Sequence, residues 1–103
     1  MNDRELLKLA AKAAELDAQF EMGSGSAMVL NKPRGFQVYW NPLTDDGDAL
    51  RLAVKLGMDV CFGANYVIVR GSVQTPTVNN ADDPYAATRR AIVRAAAEIG
   101  RNK

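Results

Sequence analysis

The apolar residues of this sequence change period along the chain, and that change constrains the fold more than any other feature. Leu6, Leu9, Ala13, Leu16 and Phe20 recur at spacings of 3 and 4, which is one face of a helix. Phe36, Val38 and Trp40 then alternate with Gln37 and Tyr39, the period of a strand. Helical spacing returns at Ala49, Leu52, Ala53 and Leu56, gives way to short apolar runs between 58 and 77, and returns again after Pro84. A chain of 103 residues supplies one core and not two. The mixed periods must therefore share it, in a single domain over residues 1–103.

The punctuation agrees with the periods. Residues 3–20 read as a first helix, with Asn2 as its cap and Glu5 three residues on. Gly23-Ser24-Gly25-Ser26 ends it and links it to a strand pair at 27–31 and 36–40 around the turn Lys32-Pro33-Arg34-Gly35. Asn41-Pro42 stops the second strand. A helix over 46–56 starts from Thr44 or Asp45 and ends at Gly57, a natural residue for the left-handed position after a helix. Strands follow at 58–62, 66–70 and 73–77, with turns at Gly63-Ala64-Asn65 and Gly71-Ser72. Val67 and Val69 share one face, Tyr66 and Ile68 the other, which predicts a sheet covered on both sides. After a polar loop from Thr77, Asp83 caps a final helix with Pro84 in its first turn. Tyr85, Thr88, Ile92, Ala95 and Ile99 form its buried face, and Gly100 ends it. The order α-β-β-α-β-β-β-α predicts an α+β fold. It is a single-domain α/β/α sandwich of three helices around a mainly antiparallel four- or five-stranded sheet, with room for one parallel pair across the 40–58 connection.

Composition narrows the chemistry. Histidine is absent, which removes the most versatile acid–base group and the commonest metal ligand. Cys61 is the only cysteine, so a Cys–His pair, an internal disulfide and a multi-cysteine zinc site are all impossible within one chain. Cys61 lies between Val60 and Phe62 and reads as a small core hydrophobe. Asp45, Asp46 and Asp48 form the densest acidic cluster. Leu50 occupies a position where a calcium loop needs a ligand, so the cluster reads as a helix start and no metal site is called. Gly23-Ser24-Gly25 follows a helix and opens into a strand, the reverse of a phosphate-binding loop. No catalytic residue and no cofactor is expected. The N-terminal Met-Asn-Asp-Arg-Glu lacks the apolar region of a secretory signal, and no run reaches the roughly 20 apolar residues of a membrane span. A cytoplasmic protein that does not enter a membrane is the expectation.

The formal charge is +1, but residues 84–103 carry five basic side chains and one acidic. Arg90, Arg94 and Arg101 lie near one stripe of the last helix, with Glu98 beside it, and are the candidate residues for an anionic partner. The competing reading is a solvated face whose cations meet the helix dipole, with an Arg94–Glu98 pair.

Two stretches together resemble a known family. They are the string from Trp40-Asn41-Pro42-Leu43-Thr44-Asp45-Asp46-Gly47-Asp48 through Val54, and the string from Ala86-Ala87-Thr88-Arg89-Arg90 through Glu98. They are similar to small phage and prophage proteins grouped as the phage ABA-sandwich domain, over about residue 36 to the C-terminus. The resemblance implies a helix–sheet–helix sandwich and a phage or prophage origin. It implies no activity. The functional expectation is a non-enzymatic accessory protein acting on a host or phage protein, or on itself as a homo-oligomer. The alternative is a nucleic-acid-binding module using the basic last helix.

Overall fold

The computed structural model describes residues 2–20, 28–32, 35–63, 66–70, 78–79 and 83–103. Three helices are placed by the signals their sequences carry. In α1 (Asp3–Ala13) the Asn2 side chain accepts the Glu5 N–H at 2.8 Å. In α2 (Asp46–Leu56) Asp45, and not Thr44, is the cap, accepting the Asp48 N–H at 2.8 Å. In α3 (Pro84–Arg101) Asp83 accepts from Ala86 at 3.1 Å, and Pro84 sits where a missing N–H is harmless.

The first helix is shorter than its periodicity predicts. Helical spacing runs to Phe20, but the helix stops at Ala13 and the chain re-enters as strand β1 (Ala18–Phe20). Glu15 takes φ of 56°, Leu16 N–H donates to Ala11 O at 3.0 Å, and Glu15 N–H donates to Lys12 O at 3.1 Å. These two bonds are the Schellman closure of a helix, here with glutamate in the position glycine normally holds. The same closure ends α2, where Gly57 has φ of 65° and Met58 N–H donates to Ala53 O at 3.0 Å. The second end was legible because it carries glycine; the first was not.

The remaining strands are β2 (Met28–Asn31), β3 (Gln37–Trp40), β4 (Asp59–Phe62), β5 (Tyr66–Arg70) and β6 (Val78–Asn79). The fold is α+β, with three helices and antiparallel strands. Where one four- or five-stranded sheet was expected, the strands form two three-stranded sheets, ordered β1-β2-β3 and β4-β5-β6. Among the described residues every strand pairing is antiparallel, and the 40–58 connection makes no parallel pair there. Neighbouring strands joined by short connections pair with each other, whereas α2 carries the chain away between the two meanders. The expected strand at 73–77, the Gly71-Ser72 turn and the Gly23–Ser26 link lie outside the described residues. Val78 and Asn79, expected in a loop, pair with β5 instead.

The core runs through all three helices and both sheets. Its centre is the α1–α3 crossing, built from small residues: Ala10 and Ala11 of α1 with Ala14 just after its end, and Ala95, Ala96 and Ala97 of α3, with Leu6, Leu7 and Val93 filling the volume. Gly100 does not end α3. It lies within the helix against the backbone of Leu9, and a methyl group there would overlap the Leu9 carbonyl oxygen. Asp3–Arg90 at 3.0 Å and Glu15–Lys103 at 3.1 Å bridge α1 and its C-terminal turn to α3 and the residues after it.

The sheets are less covered than the sequence suggests. Val67 and Val69 are fully buried, but Tyr66 on the opposite face is 44% exposed and Ile68 only partly buried, so among the described residues the two faces of this sheet are unequally covered. Trp40 is buried, whereas Phe36 and Val38, expected on its face in the core, are exposed. Tyr85, expected on the buried face of α3, is exposed as well.

Candidate functional site

The segment between β3 and α2 is an interlocked turn. Trp40 is held in the core, and Pro42 after it is fully buried. Asn41 O accepts from Thr44 and Asp45, and Asn41 Oδ1 accepts from Leu43 at 3.0 Å. Asp48 accepts the Asn41 N–H at 2.9 Å and the Arg51 guanidinium at 2.7 Å. Asp46 pairs with Arg89, whose Nε also donates to Leu43 O at 2.9 Å. Each of the three clustered carboxylates is therefore engaged: Asp45 in a cap, Asp46 with α3, Asp48 with the turn. No grouping of three or more His, Cys, Asp or Glu suited to a metal ion is assembled among the described residues. The turn positions α2 against α3 through Asp46, Arg89 and Leu43.

The candidate arginines do share a stripe of α3, but they are occupied unequally. Arg90 donates to Asp3 at 3.0 Å, and Arg101 to Glu98 at 2.9 Å. Glu98 is thus taken by Arg101, three residues away, and not by Arg94. Arg94 is exposed and has no ion pair among the described residues. Of the other cations near this end, Lys103 donates to Ala13 O and to Glu15, and Arg89 to the turn. Most of the local positive charge is thus met within the chain.

A groove that sequence reasoning missed lies beside the turn. Leu50 of α2, Val60 and Phe62 of β4, and Tyr85, Thr88 and Ile92 of α3 line a cleft of about 420 Å³. Its walls are almost wholly apolar, with Asp46 and Arg89 paired to each other at one margin. Phe62 and Tyr85 are each 69% exposed and Leu50 64%. Val54, one turn beyond Leu50 on the same helix face, is 72% exposed. The signal was present: Leu50 and Val54 lie off the Ala49-Leu52-Ala53-Leu56 stripe, so α2 has apolar residues on two faces. Cys61, expected in the core, is half-buried on the face of β4 opposite Phe62.

A second cleft, about 470 Å³, opens between β3 and α2, where Lys32, Arg51 and Lys55 surround Trp40 and Leu52. Arg51 is already bound to Asp48 there. No helix among the described residues is long and apolar enough to cross a membrane. No family model, curated protein or solved structure matches the chain.

Proposed function

We propose that this chain is a non-enzymatic binding protein, a small accessory protein of the phage or prophage type. Its docking surface is the apolar groove between α2, β4 and α3. The observation that carries the reading is the convergence of Leu50, Phe62 and Tyr85, three large apolar side chains from three separate elements, each about two-thirds exposed around one cleft. Single exposed hydrophobes are ordinary; a contiguous set rimmed by polar groups marks an interaction site. Aromatic residues with few free charges are also the composition of an interface centre. The partner is a protein, either of host or phage origin or a second copy. Acid–base and nucleophilic catalysis lack supporting groups here: histidine is absent, and the clustered aspartates are spent on the turn.

A photo-crosslinking residue in place of Leu50 tests this in the cytoplasm of the expressing cell. The expected result is a discrete protein adduct that disappears when Tyr85→Asp is added. Absence of any adduct, or adducts with nucleic acid alone, overturns it. The nucleic-acid alternative is favoured by Arg94, the member of the stripe with no ion pair among the described residues. It requires binding that falls steeply between about 50 and 200 mM salt and weakens in Arg94→Ala.

A further inference from the structure

The free edge of β4 has a definite phase. Gly63 N–H donates to Tyr66 O at 2.8 Å, and the register continues through Cys61 opposite Ile68 and Asp59 opposite Arg70. Hydrogen-bonded and non-hydrogen-bonded pairs alternate along an antiparallel ladder. Cys61 and Asp59 therefore turn their backbone groups toward β5, while Val60 and Phe62 turn theirs outward. β4 is the end strand of its sheet, and no described residue takes those outward groups. An edge like this is a template for another strand; β4 is only four residues long and carries one charge, Asp59, whose backbone groups turn toward β5, and the stronger blunting devices are proline and lysine. The sequence Asp59-Val60-Cys61-Phe62 contains neither.

We infer that β4 pairs antiparallel with β4 of a second copy, about a two-fold axis at Cys61, to make one continuous six-stranded sheet. The inference rests on the groove being a docking surface and names its occupant. In this register Val60 lies opposite Phe62 of the second copy, and Phe62 opposite its Val60. All the outward groups are then satisfied, by about four hydrogen bonds. The strand is its own complement, which is what an isologous interface requires. Asp59 falls opposite Gly63 of the second copy, so no like charges face each other. Phe62 of the second copy falls beside Val60, on the face where Leu50 and Tyr85 are uncovered. Leu50, Val54, Phe62 and Tyr85 are each about two-thirds exposed. They offer on the order of 500 Å² per copy, taking roughly 150–250 Å² for a whole aromatic side chain and somewhat less for an aliphatic one. Two copies reach the lower bound of a specific interface, about 1,000 Å², so the dimer is expected at the weak end of specific association.

The axis supplies its own reporter. Cys61 and its symmetry mate form a non-hydrogen-bonded pair with Cα atoms about 4.5 Å apart, within the range a disulfide spans. The purified full chain is examined by sedimentation velocity from low micromolar to millimolar concentration, with and without diamide as the oxidant of the two thiols. The expected result is a concentration-dependent dimer that diamide converts to a reducible covalent dimer. Cys61→Ser keeps the dimer and loses the covalent form. Phe62→Pro removes an outward N–H and the ring while leaving the bonds to β5, and weakens dimerisation by roughly tenfold or more. Leu50→Asp, on the exposed helix face, gives the same direction without touching the strand. A monomer at every concentration overturns the inference, as does a dimer indifferent to Phe62→Pro and Leu50→Asp. A monomer that still crosslinks from position 50 to a different protein overturns the pairing alone. A monomer with no adduct removes the docking surface as well.

Discussion

Replacing Gly100 by alanine sets two opposing effects against each other. In an ordinary helix interior the change is favourable by about 0.5–1 kcal/mol, because glycine loses more backbone freedom on folding. At this crossing the added methyl would overlap the Leu9 carbonyl oxygen and stand 2.9 Å from its carbon and 3.3 Å from its Cα. Those atoms are backbone and cannot rotate aside. A normal carbon–carbon contact is about 3.5–4.0 Å, so α1 must retreat by roughly an ångström, and a gap of that size forfeits between a quarter and a half of each contact across it. The contacts affected are those of Ala10, Ala13, Ala96 and Ala97, all buried to 2% exposure or less. Overpacking of this kind costs about 1–3 kcal/mol and more where the backbone is fixed. Net of the helix gain, Gly100→Ala destabilises by about 2 kcal/mol, which lowers Tm by roughly 8–16 °C in a domain of this size. Urea titration followed by fluorescence measures it directly, since Trp40 is the only tryptophan and is 4% exposed in the core. A Gly100→Ala protein as stable as the wild type, or more stable, would refute the close approach of α1 and α3.

Further outcomes follow from single contacts. Glu15→Gly relieves a left-handed residue and should raise stability by about 1 kcal/mol, although the exposed pair with Lys103 is lost; thermal unfolding reads the sign. Asp45→Ala removes the cap of α2 and should cost about 1 kcal/mol in urea unfolding, with Asp83→Ala similar for α3. Arg89→Ala strips the link from α3 to Leu43 O and Asp46, and should cost about 1–2 kcal/mol. Arg94→Ala should stay within about 0.5 kcal/mol, and equal effects at the two positions would contradict the assignment of Arg89 to the turn.

The parts of the fold that announce themselves in sequence are those governed by local chemistry. α2 runs over the predicted residues because Asp45, the acidic first turn and Gly57 all act within a few residues of the helix. β5 is equally plain, and Val67 and Val69 fill the face their alternation predicts. What fails is whatever depends on a distant partner. The spacing of Leu16 and Phe20 imitates a helix, yet Phe20 is used in a strand paired with Met28, and its ring receives the Arg4 guanidinium at 3.8 Å. Phe36, Val38 and Tyr85 carry the pattern of core residues, but they stand exposed, and no element among the described residues covers them. The arginine stripe was legible as a stripe; that Asp3, 87 positions earlier, would claim Arg90 was not. The groove was the hardest feature to see, because its walls come from three elements whose individual patterns look ordinary.

The α1–α3 crossing also sets a timetable. Asp3 and Arg90 are 87 residues apart in sequence, although they touch in the folded chain. At about 5–20 residues per second of synthesis, α1 waits on the order of 4–17 s for the helix that buries Leu6, Leu7 and Ala10. Both meanders are synthesised within that interval, the second only as far as Asn79 near its end, and the centre of the core stays open throughout. A nascent chain of this design therefore carries the apolar face of α1 uncovered until α3 has been made. A circular permutant that joins the end of α3 to the start of α1 and opens elsewhere would be born with the two helices as sequence neighbours. It would shorten that exposure to the time needed to add one helix.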